Sequence, residues 1–144
     1  MSTIREILDR KGRAVLTIHS DASVLEAIGI MSQANIGAIV VQDGDQPEGI
    51  FTERDYLRKI ALKGRSSSDT LLRDVMSSPL ITVSITESTE VAMETMTGCR
   101  CRHLVVVEKG KMVGMVSLGD LVKHLLQEKE VEVRQMAQYI AGSY

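Results

Sequence analysis

The stretch GIFTERDYLRKI, residues 49–60, is matched further along the chain by GMVSLGDLVKHL, residues 114–125. Each has a glycine, an apolar pair, a hydroxyl residue, two spacers, an aspartate and then a run with helical character. The two align at a spacing of 65 residues, which sets Gly49 against Gly114, Thr52 against Ser117 and Asp55 against Asp120. The same spacing holds upstream without a gap. Thr17 meets Thr82, Ser23 meets Ser88, Ala27 meets Ala92, Met31 meets Met96, and Val40-Val41 meets Val105-Val106. A fixed period is the mark of a repeated structural unit. Two repeats follow, over about residues 17–60 and 82–125. Units this small bury little surface alone, so they are expected to pack together and share a core.

Each repeat reads as strand, helix, strand, strand, helix. In the first, residues 14–18 form a short strand, and Ser23 with Glu26 makes a capping box for a helix striped by Val24, Leu25, Ile28 and Met31. GAIVV (37–41) is a continuous apolar run, as in a strand buried on both faces. The turn formers QDGDQPEG follow. A short strand then leads to Thr52, which opens a helix to about residue 62. The second repeat runs in parallel: 81–83, a helix from Ser88 to Thr97, HLVVV (103–107), the turn EKGK, MVGMV, and a helix over 117–126. Outside the repeat, Thr3 and Glu6 suggest a capping box for an N-terminal helix that Gly12 ends. GRSSSDT (64–70) is a polar linker. The tail from residue 128 has apolar Val131, Met136 and Ile140 among charges and reads as an amphipathic helix against the module or a partner.

Composition limits the function classes. The 144 residues carry a net charge of −2 and only 3% aromatic residues, with no Trp. That leaves neither a basic field nor stacking platforms for nucleic acid. The first residues lack the apolar core of a signal peptide, and no apolar run nears the roughly 20 residues a membrane span needs. Cys99 and Cys101 are too few and too close for a disulfide framework, so a reducing, cytoplasmic setting is the default. With His103 they alternate along what reads as a strand, which would place all three on one face. A metal site or a reactive thiol beside Arg100 and Arg102 stands there against plain packing. His19 and His124 have no partner in view. The eight Met residues fall mostly on helical stripes, as core filler. No P-loop, HExxH helix, nucleophile–base pair or paired-carboxylate arrangement is visible.

The repeated junction has two readings. Taken singly, Thr52-x-x-Asp55 and Ser117-x-x-Asp120 are helix starts, a hydroxyl N-cap with an acid that also favours the helix dipole. Taken together, two strand ends that meet helix N-termini offer free backbone N–H groups to an anion. A hydroxyl there can donate to phosphate, and a carboxylate one turn on can accept both hydroxyls of a ribose.

With NIGAIVV and CRHLVVV ahead of the two motifs, the chain resembles, from about Arg13 to Leu126, a tandem pair of CBS domains, the regulatory modules named after cystathionine beta-synthase. YIAGSY at the end is similar to the tails of stand-alone CBS-pair proteins of bacteria and plant organelles. The resemblance implies an α/β (α+β) fold. Two pseudo-symmetric β-α-β-β-α units, 13–64 and 76–127, pack through their sheets, with flanking helices over 1–12 and 128–144. It implies a cleft for adenosyl ligands and a disk-shaped homodimer. By position it assigns Asp55 and Asp120 to ribose hydroxyls, and Thr52 and Ser117 to phosphate or ribose. Thr17-Ile18 and Thr82-Val83 would frame adenine. Gly37-Ala38 and Arg102-His103 would line the phosphate and base region, with Leu104 and Val116 beside them. Arg54, inside the first motif, could pair with phosphate. The two sites are unequal: Arg100, Arg102 and His103 correspond to Asn35, Gly37 and Ala38, while Glu53-Arg54 correspond to Leu118-Gly119. One cavity could therefore collect Arg54, Arg102 and His103. The family often has Pro where this chain has Val105, which bears on strand-edge geometry more than on ligand chemistry.

The first functional expectation is a regulatory, energy-sensing module for an adenosine nucleotide. AMP leads, with ADP, ATP, NAD(H) and S-adenosylmethionine as further candidates, and the module acts on a protein partner in trans rather than as an enzyme. The alternatives are a structural or interaction protein with relic sites, and a nucleotide hydrolase that uses Asp55 or Asp120 with a metal.

Overall fold

The computed structural model describes residues 2–142; Met1, Ser143 and Tyr144 lie outside the described residues. Two three-stranded sheets carry the repeat. In the first, β1 (Thr17–His19) pairs parallel with β2 (Ala38–Asp43), which pairs antiparallel with β3 (Gln46–Thr52). In the second, β4 (Thr82–Ser84), β5 (His103–Glu108) and β6 (Lys111–Ser117) repeat that order. Even the irregularity is repeated: the register shifts at Val41/Gln42 and again at Val106/Val107.

The crossover helices begin as the sequence suggests. Ser23 Oγ accepts from Glu26 N at 3.1 Å at the start of α2 (Val24–Ala34), and Ser88 Oγ accepts from Val91 N at 3.2 Å at the start of α5 (Thr89–Cys99). α2 ends at Asn35 and α5 at Arg100, both left-handed with φ 55°. Side-chain placement on α2 follows the 3.6 period, with Val24, Ala27 and Met31 buried, although Leu25 is exposed. The run Ala38–Val41 is wholly buried, as expected of a strand covered on both faces.

Two expectations need correcting. Thr3 is the N-cap of α1 (Ile4–Lys11) but makes no side-chain cap bond; it bridges antiparallel to Ser88. And the buried residues make two clusters, not one shared core. Each cluster is completed by a helix from outside its own repeat. α1 precedes the first repeat, yet Ile4, Ile7 and Leu8 join the cluster of the second. The short α4 (Leu72–Val75), which has no counterpart in the sequence reading, precedes the second repeat, yet Leu72 and Val75 join the cluster of the first. The exchange is symmetric in its bonds. Ile4 N donates to Glu87 O at 2.9 Å and Arg5 N to Ile85 O at 2.9 Å; Leu72 N donates to Ala22 O at 2.9 Å and Arg73 N to Ser20 O at 3.0 Å. Gly49 and Gly114 are where these helices cross the sheets. A Cβ at Gly114 would lie 2.8 Å from Leu8 Cδ1, and one at Gly49 would lie 2.8 Å from both Met76 Sδ and Ser77 O. That is why the repeated motif opens on glycine.

The helices after the motifs differ. The first, α3 (Glu53–Asp55), runs on into a π-helical segment over Tyr56–Ala61. The second, α6 (Leu118–Gly142), continues unbroken, so the expected tail helix is one rod with the helix of the second repeat. Among the described residues no helix is long and apolar enough to cross a membrane.

Candidate functional site

Both motifs close a reciprocal capping box. Thr52 Oγ1 accepts from Asp55 N at 3.1 Å while Thr52 N donates to Asp55 Oδ2 at 3.0 Å; Ser117 Oγ accepts from Asp120 N at 3.1 Å while Ser117 N donates to Asp120 Oδ2 at 2.8 Å. The surroundings then separate the two aspartates. Asp55 is 7% exposed, and both of its oxygens are engaged. Oδ2 also accepts from Thr52 Oγ1 at 3.1 Å, and Oδ1 accepts from Ser77 Oγ at 2.8 Å and pairs with Lys59 at 3.1 Å. Asp120 keeps 26% of its side chain exposed. Its Oδ2 takes Lys11 at 2.6 Å, and Oδ1 has no hydrogen-bond partner among the described residues. The Thr52 hydroxyl donates to the buried Asp55 at 3.1 Å, whereas the Ser117 hydroxyl faces the more open carboxylate of Asp120, whose pKa it helps to lower.

Charge gathers around the second motif. Lys11 Nζ also donates to Met115 O at 2.8 Å. His103, which opens β5 and pairs in register with Ser117, has its pKa held below the ordinary 6.5. Burial is the main cause; Lys11 and Arg102 add to it, and Asp120 and Glu53 oppose it. The Asp120 carboxyl is pulled the other way by burial, but the hydrogen bonds from Lys11 and Ser117 outweigh that and leave its pKa below the usual 3.8. The first unit contributes as well. A Cβ at Gly37 would sit 3.1 Å from Glu53 Oε1 and 3.8 Å from His103 Cε1, so these three meet. Arg54 Nη1 donates to Arg100 O at 3.2 Å.

The structure therefore groups Gly37, Arg102, His103, Ser117 and Asp120 where the two units meet, adds Lys11 and Glu53, and turns Arg54 to the backbone of Arg100. Lys11 carried no motif; it is brought there by the exchange of α1 between units. Thr52 and Asp55 face Ser77 and Lys59 instead. Ile18, Ala38, Val83, Leu104 and Val116 are buried, so they can offer backbone groups or packing only. Thr82 is exposed at the start of β4, and Thr17 Oγ1 accepts from Gln42 Nε2 at 3.2 Å.

Two cysteine and histidine readings change. Cys99 ends α5 and is disulfide-bonded to Cys101 in the loop before β5, so the two cysteines and His103 do not line one strand face. His124 does have partners. It is buried, with Nε2 at 3.1 Å from Glu128 Oε1 and 3.8 Å from Glu6 Oε2, which ties α1 to α6.

The family model for the CBS domain matches twice, over residues 4–62 and 72–127. The chain is 40% identical, over 99% of its length and 74% of the relative's, to the mitochondrial CBS domain-containing protein CBSX3 of Arabidopsis thaliana. A solved CBS-domain protein from Burkholderia ambifaria superposes with a TM-score of 0.85 at 40% identity, covering 88% of this chain and 95% of that one. The CBS domain protein PAE2072 of Pyrobaculum aerophilum, solved as a complex with AMP, superposes with a TM-score of 0.73 at 28% identity, covering 83% and 89%. Repeat and fold agree with these likenesses: the chain belongs to the CBS domain family, with two CBS domains in tandem.

Proposed function

We propose that this CBS pair is a regulatory module that binds an adenosine nucleotide, AMP foremost, at the second motif, and passes the signal to a protein partner in trans. The observation that carries this is the contrast between the two aspartates. Asp55 is saturated and buried, so the first motif serves as a helix cap. Asp120 keeps one carboxylate oxygen for ribose hydroxyls, beside a Ser117 hydroxyl that can donate to phosphate. The charge of the cleft favours a monophosphate. The groups that act on His103 are two cations, Lys11 and Arg102, and two acids, Asp120 and Glu53. A triphosphate would face Glu53 with little surplus positive charge to offset it. The AMP complex of PAE2072 supports the same ligand class.

Isothermal titration of AMP, ADP, ATP, NAD⁺, S-adenosylmethionine and GMP tests it. AMP is expected to bind the parent protein more tightly than ATP or GMP. Asp120→Asn should weaken AMP by about 10–100-fold, the worth of one or two hydrogen bonds to a charged group. Asp55→Asn should lower the melting temperature and leave AMP affinity near that of the parent. Equal weakening in both variants would place the ligand elsewhere.

A further inference from the structure

We propose that Cys99 and Cys101 form a reversible thiol–disulfide site, reduced by exchange with an external dithiol that attacks the sulfur of Cys99. The repeat supplies an internal control. α2 and α5 end on the same turn, with Asn35 and Arg100 both left-handed at φ 55°. The next residue donates its N–H back to the helix, Ile36 to Met31 O at 3.0 Å and Cys101 to Met96 O at 3.1 Å. In the first unit Ala34 and Ile36 flank the turn, so backbone bonds build it without a covalent link. In the second unit the turn sets the Cα atoms of Cys99 and Cys101 5.3 Å apart, within disulfide reach. The bond joins residues two apart, so it constrains the unfolded chain far less than a bond across a long loop. A structural staple is therefore a poor account of this bond, and exchange chemistry is a better one.

Exposure and charge favour the same chemistry. Cys99 is exposed at the end of α5, whereas Cys101 is half-buried against the core cluster of the second unit. An incoming thiolate therefore reaches Cys99 Sγ first. Arg100 and Arg102 flank Cys101, and Arg54 of the first unit reaches the Arg100 carbonyl at 3.2 Å. These cations offset the negative end of the α5 dipole, which by itself opposes a thiolate there. When the dithiol attacks, the bond between the two cysteines breaks, and its electron pair leaves on Cys101 Sγ, which takes a proton from water. A mixed disulfide then joins Cys99 to the reductant. The second thiol of the reductant attacks the reductant's sulfur in that bond and releases Cys99 as a thiol. Two electrons and two protons have passed to the protein, and the dithiol has become a disulfide. Reoxidation is the reverse exchange.

The test equilibrates the folded full-length chain in mixtures of reduced and oxidised dithiothreitol and counts free thiols by alkylation and intact mass. Both thiols should appear together as one two-electron step and disappear again on reoxidation. The disulfide and dithiol forms should melt close together, because the turn stands without the bond. Three outcomes overturn the proposal: thiols that stay free in excess oxidised reagent, a bond that yields to excess reduced reagent only after urea unfolds the chain, or a covalent dimer in place of the internal bond. The attacked sulfur is read from single-cysteine chains. Cys101→Ser leaves Cys99, which should form a mixed disulfide with oxidised glutathione about 10-fold faster or more than the Cys101 left by Cys99→Ser. Equal rates, or the reverse order, overturn the assignment of Cys99. The thiol count of the parent chain decides the reversible couple whether or not either variant folds.

Discussion

At the scale of single residues, the two aspartates of the repeated motif are held by similar caps and differ in what reaches them from elsewhere. Lys59 and Ser77 close around Asp55; Lys11 reaches Asp120 and leaves one oxygen open. The pH response of the second site follows from the shifted groups. The folded pKa of His103 lies below the ordinary 6.5, so the unfolded chain takes up a proton first as pH falls. Stability should therefore decline from about pH 6.5 down to the folded pKa and then level. The folded pKa of Asp120 lies below its ordinary value, so its contribution is full above about pH 4 and is lost as pH falls through the folded value. Urea unfolding between pH 7 and 5 should thus show a decline that His103→Gln removes and Asp120→Asn does not. A decline that survives His103→Gln would assign it to another group.

At the scale of elements, helix starts carry the repeat. Ser23 and Ser88 each satisfy one backbone N–H, and Ser→Ala at either should cost about 1 kcal/mol. Thr52→Ala should cost more, about 2–3 kcal/mol, because it also removes a donor to a buried carboxylate. Ser117→Ala should stay near the ordinary cap value, because its partner Asp120 is half-open to solvent and keeps Lys11. Chemical denaturation of the four variants checks the ranking; Thr52→Ala no worse than Ser117→Ala would contradict it. The same elements diverge at their far ends, where a π-helical segment follows the first motif and a 25-residue helix includes the second.

For the whole molecule, the exchange of α1 and α4 makes each unit depend on the other's flank. Leu8 and Leu72 are fully buried in opposite clusters. Leu8→Ala should cost about 2–5 kcal/mol and be felt first in the second unit, although residue 8 precedes the first. Hydrogen exchange should then show β5 and β6 losing protection before β2 and β3, and Leu72→Ala should reverse the order. Loss confined to the sequence-adjacent unit in either variant would mean that the helices pack where the chain order suggests.

Much of the protein was legible in the linear pattern. The 65-residue spacing, the Ser caps of α2 and α5, the apolar run of β2 and the glycine-to-aspartate motif depend on neighbours within a few positions, which a sequence displays directly. Of the candidate site residues, Ser117 and Asp120 follow from the motif and its register, while Arg102 and His103 were assigned by the family resemblance. What tertiary structure alone decided rests on contacts across long separations. Leu8 covers Gly114, Lys11 pairs with Asp120, His124 pairs with Glu6, and Ser77 closes on Asp55. The Cys99–Cys101 bond is the local exception, because two cysteines flanking one left-handed residue carry no periodic signal of pairing. Sequence could assign equal aspartates to equal motifs. Only folding, by exchanging the flanking helices, sent a different set of side chains to each and made one a cap and the other a candidate site.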